Sequence, residues 1–297
     1  MKVNMIGLGK MGLHLALNMM EHQVEVAGFD VNEEARKKAE EFGVSTVAAL
    51  EDLMKLEERA IHWIMLPAGR ITNEVLIQVM NLSKKGDIII DGGNSDHRDS
   101  LKTAKQMEEK GIYFFDIGTS GGVYGARHGA SFMCGGDPVV FKELKPMLES
   151  IATINGCLYT GKTGSGHYLK MIHNAMLYGM MQTLGEGFEL LQASEFDYDM
   201  ESVADSLSKS SVIRGWLLEL CANAFRKNPD LSDIKGVIGA SKTTNWTMES
   251  ACELGVPVPV IALSLMMRFR SKQEDSFSAK LIASLRDEVG GHKAQEK

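Results

Sequence analysis

The tightest constraint on the fold of this chain is Gly7-Leu8-Gly9-Lys10-Met11-Gly12, three glycines set between an apolar run, Lys2 to Ile6, and an amphipathic one, Lys10 to Glu21. In a strand-turn-helix context each glycine has a task. Gly7 allows the tight turn, Gly9 lets backbone approach a pyrophosphate, and Gly12 lets helix and strand pack closely. The pyrophosphate then lies at the helix N-terminus, where backbone N–H groups lack partners. The spacing predicts a dinucleotide site with Gly7, Leu8, Gly9, Lys10, Met11 and Gly12 as its first contacts; the competing reading is an incidental glycine-rich turn.

The rest of the N-terminal half repeats that alternation, as a parallel sheet with crossover helices demands. Strands are expected at Lys2 to Ile6, Val24 to Phe29, Ala60 to Leu66, Asp87 to Ile90 and Ile112 to Asp116, with Ser131 to Cys134 and Cys157 to Tyr159 as later additions. Helices are expected at Lys10 to Glu21, Glu33 to Phe42, Thr72 to Leu82 and Arg98 to Lys110, with Asn32 and Asp96 as N-caps. After the glycine-rich stretch Gly161 to Gly166 the texture turns helical, through Ser194, then Met200 to Ser208, Ser211 to Arg226 and Val260 to Arg270. The expected architecture is a Rossmann-like, doubly wound α/β domain over 1–163 followed by an all-helical substrate and dimerisation domain over 164–297.

Ligands of doubly wound sheets bind outside the carboxyl ends of the strands. Asp30, ending the second strand, can accept both ribose hydroxyls and repel a 2′-phosphate. No Arg follows it directly, Arg36 and Lys37 lying farther along, so NAD is favoured and NADP remains possible. Leu66, Pro67 and Asn94 complete the expected cofactor contacts. Asn94, in Asp91-Gly-Gly-Asn-Ser95, offers a donor and an acceptor, and Ser120-Gly121-Gly122 offers a hydroxyl and stacked amides for a carboxylate or phosphate oxygen. Either loop could instead be an ordinary turn.

Lys170-Met-Ile-His173-Asn174 sets an amine, an imidazole and an amide on one helical stripe. At about 100° per residue, His173 and Asn174 fall within about 60° of Lys170, and Leu177 and Met181 within about 20°. Such triplets also occur on solvated faces, but here the neighbours are apolar, and a Lys on a largely buried helix needs a partner or a substrate. An amine acts as a base only when neutral, so the pocket must depress its pKa by desolvation or nearby positive charge.

Composition narrows the partners. With 297 residues, 44% of them hydrophobic, the chain can fill two cores without staples. A net charge of -7 argues against nucleic acid and anionic membranes, and no apolar run reaches the ~20 residues of a membrane span. The N-terminus enters a strand with no charged leader, and the four cysteines lack metal-ligand spacing, so no metal, a reducing compartment and a cytoplasmic location are expected.

Taken together, the D-G-G-N-S loop at Asp91, S-G-G at Ser120, K-M-x-H-N at Lys170 and R-x-x-x-G-G-H at Arg286 to His292 resemble the short bacterial type of 6-phosphogluconate dehydrogenase, within the β-hydroxyacid dehydrogenases. The resemblance covers essentially the whole chain. It implies hydride transfer from C3 of 6-phosphogluconate to the nicotinamide, loss of CO2 from the 3-keto acid, and protonation of the enediol to ribulose 5-phosphate. It also implies Lys170 as general base, His173 and Asn174 on the substrate hydroxyls and carbonyl, Asn94, Ser120, Gly121 and Gly122 on the sugar acid, and a phosphate site from Tyr178, Thr247, and Arg268 or Arg270. Arg286 and His292 would come from a partner subunit, which implies a homodimer or homotetramer.

The sequence departs from that family at three places. Leu177 stands where the family carries the Glu assigned as proton donor to the enediol, Asn245 replaces the Lys before Trp246-Thr247, and Val123-Tyr124 replace a polar or acidic residue. Glu186 is no substitute, since nine residues on an unbroken helix place it about 180° from Leu177. These departures leave open a dehydrogenase for another 3-hydroxy acid, and an impaired paralogue that binds nucleotide and sugar phosphate without turnover.

Overall fold

The computed structural model describes residues 2–54, 59–291, 293 and 295. The chain divides into two compact units, Met1–Asn174 and Ala175–Lys297.

The first unit is built on a sheet of β1 (Lys2–Ile6), β2 (Glu25–Phe29), β3 (Ser45–Thr46), β4 (Ile61–Ile64), β5 (Ile88–Asp91), β6 (Tyr113–Ser120), β7 (Ala130–Gly135) and β8 (Ala152–Gly161), in the order 3-2-1-4-5-6-7-8. Its helices are α1 (Lys10–Glu21), α2 (Glu33–Glu41), α3 (Leu50–Leu53), α4 (Arg70–Leu82), α5 (His97–Glu109), α6 (Gly122–His128) and α7 (Pro138–Ser150). Two apolar clusters flank the sheet, one around Met5, Leu15, Trp63, Phe115 and Phe132, the other around Ile6, Leu53, Ile64, Ile89 and Met107. This is the doubly wound arrangement expected.

One strand departs from the all-parallel expectation, since β7 runs antiparallel to β6 while β8 is again parallel to β7. Only Gly121–Gly129 joins β6 to β7, and a parallel crossover needs about a dozen residues or more. Helix α7 was not anticipated although its signals are present. Asp137 accepts from Val139 and Val140 N–H, and Pro138 opens the helix at a position where no N–H is needed. Asn32 and Asp96 cap α2 and α5 as expected. Buried Asn18 of α1 is satisfied by Ala126 O and Ile151 O, at 3.2 and 3.0 Å.

Helix α8 (Ser165–Gln192) carries the division between the units. Beyond it the second unit holds α9 (Met200–Ser210), α10 (Trp216–Lys227), α11 (Lys242–Leu254), α12 (Pro259–Arg270) and α13 (Phe277–Gly290). α11 and α13 were not anticipated, and both end on a left-handed glycine, Gly255 and Gly291. The buried residues of this unit are sparse and partly polar, among them Ala204, Leu218, Ala222, Thr244, Ser264, Leu265 and Arg268. α13 buries no residue at all.

Candidate active site

The glycine turn has the geometry its spacing predicts. Gly7 is left-handed at φ 97°, and a Cβ there would lie 2.5 Å from Met65 O. At Gly12 a Cβ would fall 1.9 Å from Gly7 O, so only glycine lets α1 start this close to the strand. Around Gly9 there is open space, with nothing within 4 Å of a Cβ, and no side chain caps the first N–H groups of α1. A nicotinamide dinucleotide fits this cradle: uncapped donors face an open approach to the helix N-terminus. Leu8 and Met11 turn their side chains into the core, leaving only their backbone for a ligand, while Lys10 is exposed.

Asp30 already serves the turn. Its two carboxylate oxygens accept the Leu8 and Asn32 N–H groups at 2.7 and 2.8 Å. Arg36 folds back over the end of β2, donating to Asp30 O at 2.6 Å, so it lies nearer this strand end than its sequence distance suggested. Leu66 sits between the two neighbouring turns, with its Cδ2 near Gly7 and its carbonyl near Gly93; Pro67 O accepts from the Thr72 hydroxyl. Asn94 is exposed at the carboxyl end of β5, beyond the Asp91-to-Gly93 hydrogen bond.

Ser120 is the last residue of β6 rather than part of a loop, because β6 runs on past Asp116. Gly121 and Gly122 follow with φ of 114° and 61°, opening α6 in a conformation that favours glycine. The stretch Gly161 to His167 is likewise more regular than a loop, since β8 continues to Gly161 and α8 starts at Ser165.

The start of α8 is fixed by Asp116, a residue the sequence reading left as a strand end. Its Oδ1 accepts Gly164 N–H at 2.7 Å and its Oδ2 accepts His167 N–H at 2.8 Å, satisfying donors that a helix start leaves unpaired. Burial pushes this carboxyl above the usual range, against the opposing pull of His167 and the N–H groups. His167 is buried as well and bonds through Nδ1 to Ser100 Oγ at 2.8 Å.

One turn further on, Lys170 is 5% exposed, and burial pulls its pKa down to about 8. Its Nζ lies 3.3 Å from His173 Nδ1, which is also 3.2 Å from Asn174 Oδ1, and His173 Nε2 lies 3.4 Å from Ser120 Oγ. Burial, and then the Lys170 charge, hold the half-buried imidazole below its usual pKa. The first unit therefore brings Lys170, His173, Asn174 and Ser120 together.

Gly118 makes room for them, because a Cβ there would lie 2.4 Å from Lys170 Cβ. Gly118→Ala is expected to displace Lys170 and lower turnover by about 10²-fold, the scale of an ångström-sized misplacement. Steady-state kinetics beside an unchanged far-ultraviolet spectrum checks this; wild-type turnover would refute it.

In the second unit Tyr178 and Arg268 form the core of a polar cluster. The Arg268 guanidinium lies 3.4 Å over the Tyr178 ring and donates to Gly239 O at 2.6 Å, at only 9% exposure. Tyr178 OH bonds to Ser241, and buried Thr247 donates to Thr243 O. Arg268, not Arg270, belongs to this cluster; exposed Arg270 is bonded to Gln273 O. Arg286 is exposed on α13, and His292 lies outside the described residues. Leu177 is half-buried, and the Glu186 carboxylate accepts from Gln182.

Two family models cover the chain almost end to end. The NAD binding domain of 6-phosphogluconate dehydrogenase matches residues 2–161, and the C-terminal domain of 6-phosphogluconate dehydrogenase matches residues 166–296. This chain belongs to the 6-phosphogluconate dehydrogenase family. It is an oxidoreductase of that family with an NAD-binding domain.

Among relatives of this family, Bacillus subtilis YqeC is 45% identical, with all of both chains covered. The NAD(+)-dependent, decarboxylating 6-phosphogluconate dehydrogenase of Haloferax volcanii is 39% identical, covering 100% of this chain and 99% of its own. The solved 6-phosphogluconate dehydrogenase of Plasmodium falciparum has a TM-score of 0.83 at 29% identity, covering 100% of this chain but 66% of its own. This chain is thus about two thirds the length of that longer form. A Salmonella typhimurium 3-hydroxyisobutyrate dehydrogenase shares the fold alone, with a TM-score of 0.74 at 19% identity over 91% of this chain and 93% of its own. Among the described residues there is no group of three metal-ligating side chains and no helix long and apolar enough to cross a membrane.

Proposed function

We propose that this chain oxidises 6-phosphogluconate at C3 and decarboxylates the product to ribulose 5-phosphate. The observation that carries the reading is Lys170, a buried amine bonded to His173 and, among the described residues, without a carboxylate partner. The bound dinucleotide supplies the hydride acceptor. Lys170, neutral once deprotonated, takes the C3 hydroxyl proton as the hydride leaves. His173 and Asn174 hold substrate hydroxyls, Ser120 with the Gly121 and Gly122 amides holds the carboxylate, and Asn94 serves both sugar acid and cofactor. In the second unit Tyr178, Thr247 and Arg268 are assigned to phosphate, for which a guanidinium is well matched.

With the Lys170 amine at a pKa of about 8, protonated base predominates below that pH. kcat/KM is expected to rise about tenfold per pH unit on the acid side and to level off above pH 8. A profile flat from pH 6 to 9 would remove Lys170 from the base role.

NAD is the proposed cofactor because Asp30 ends β2, where a carboxylate would accept ribose hydroxyls and repel a 2′-phosphate; Arg36 beside it leaves NADP usable. A homodimer is the proposed minimum assembly. α13 exposes Phe277 at 80% and Val289 at 88%, and a helix with no buried face gains little by forming alone. The free cysteines suit a cytoplasmic setting.

Identification of the product formed from 6-phosphogluconate and NAD tests the whole reading. Ribulose 5-phosphate and CO2 are expected. Leu177 favours one alternative, decarboxylation without controlled protonation of the enediol, which would show as reduced nicotinamide and CO2 formed ahead of ribulose 5-phosphate.

A further inference from the structure

Oxidation and loss of CO2 leave an enediol, in which one carbon must gain a proton while an enol oxygen loses one. Leu177 offers no acid for that exchange. Among the described residues, no Asp or Glu forms a hydrogen bond or ion pair with Lys170, His173 or Ser120.

What the first unit does hold is an unbroken line of exchangeable groups. Lys170 Nζ is 3.3 Å from His173 Nδ1, and His173 Nε2 is 3.4 Å from Ser120 Oγ. The ring also has a partner for each neutral tautomer. Lys170 can donate to a bare Nδ1, whereas Asn174 Oδ1, 3.2 Å away, can accept from a protonated one. A histidine served in both tautomers can take a proton at one nitrogen and release one from the other.

We propose that Lys170, His173 and Ser120 form a proton relay that converts the enediol to the ketone without a carboxylic acid. The inference rests on the reaction proposed above. As CO2 leaves, Lys170 returns to the C3 oxygen the proton it took during oxidation, which forms the enediol and leaves the amine neutral. The enol O–H proton then passes to Lys170 Nζ, an ammonium proton passes to His173 Nδ1, the Nε2 proton passes to Ser120 Oγ, and the Ser120 hydroxyl proton passes to carbon. The O–H electron pair closes the new C=O bond, and the C=C pair forms the new C–H bond. No proton is gained or lost overall. Lys170 and Ser120 return to their starting forms, and His173 ends as the Nδ1–H tautomer facing Asn174, to be reset by proton exchange with solvent before the next turnover. Ser120 is the terminal donor because the group assigned to the departing carboxylate faces the carbon from which CO2 leaves.

The test separates two rates. Stopped-flow absorbance follows nicotinamide reduction with 6-phosphogluconate, and proton NMR in D2O follows exchange of the C1 hydrogens of ribulose 5-phosphate. In His173→Gln and Ser120→Ala, which also remove contacts assigned to the substrate, both rates are expected to fall, with exchange falling about tenfold or more beyond the fall in reduction. Ser120→Thr, which keeps a hydroxyl, is expected to restore exchange, as is free imidazole added to His173→Ala. Rates that fall together, or exchange that persists in both variants, would overturn the relay while leaving the proposed reaction in place. Failure of the wild-type protein to reduce nicotinamide would overturn both. Should the His173 variant not fold, the Ser120 pair carries the same comparison.

Discussion

Replacing Lys170 with Met is expected to cut nicotinamide reduction by about 10²- to 10⁴-fold, the usual worth of a positioned general base. Met keeps most of the length and volume of the side chain but accepts no proton. The substitution should at the same time stabilise the fold. The folded-state pKa of about 8 lies below the 10.5 of a solvated lysine, so folding disfavours the ammonium. The resulting cost is about 3 kcal/mol, fully present below pH 8 and relieved as pH rises toward 10.5. Lys170→Met is therefore expected to melt higher than wild type at pH 7 and to lose that advantage above about pH 10. Thermal denaturation at the two pH values, beside a reduction assay, checks both halves. Loss of activity with a lowered melting temperature would instead point to disrupted packing.

That opposition explains why the site was partly legible in the sequence. A lysine among Met171, Ile172 and Met176 conflicts with the local apolar pattern, and conflicts of that kind collect where function outweighs stability. Lys170, His173 and Asn174 share a face by helical arithmetic alone, and the structure adds the burial that lowers the amine pKa. The glycine turn was legible for a similar reason, because backbone clashes at Gly7 and Gly12 leave no other residue type room.

The residues that position the base were not legible, because what they do is non-local. Asp116 reads as an acidic residue at a strand end, and Gly118 as part of a turn. Only the folding of α8 across β6 turns one into a helix anchor and the other into space for Lys170. The antiparallel β7 could have been foreseen from the short link between Ser120 and Ala130, had chain reach been weighed against the habit of alternation. α7 could have been foreseen from Asp137-Pro138 followed by Val140, Phe141, Leu144 and Leu148. α13 has apolar positions at helical spacing that the described residues leave unburied, so a core-based reading had no reason to favour it.

The largest stability loss is expected at Asp116. Both of its oxygens are committed, Oδ1 to Gly164 N–H and Oδ2 to His167 N–H, and the residue is fully buried. Asn has the same shape but one acceptor oxygen, so Asp116→Asn leaves one backbone N–H unpaired and points an amide N–H₂ at it. Two orphaned donors at about 1–3 kcal/mol each make a loss of about 2–6 kcal/mol. Relief of the buried carboxylate's own desolvation, which pushes its pKa upward, offsets part of this and places the expectation toward the lower end. Because the freed groups begin the helix that carries Lys170, turnover should fall as well, with the substrate KM less affected than kcat. Urea denaturation gives the first quantity and steady-state kinetics the second. A variant as stable and as active as wild type would mean that α8 is held by its packing alone, through contacts such as the one that leaves Gly166 no room for a Cβ between Asp116 O and Met133 O, at 2.2 and 2.4 Å.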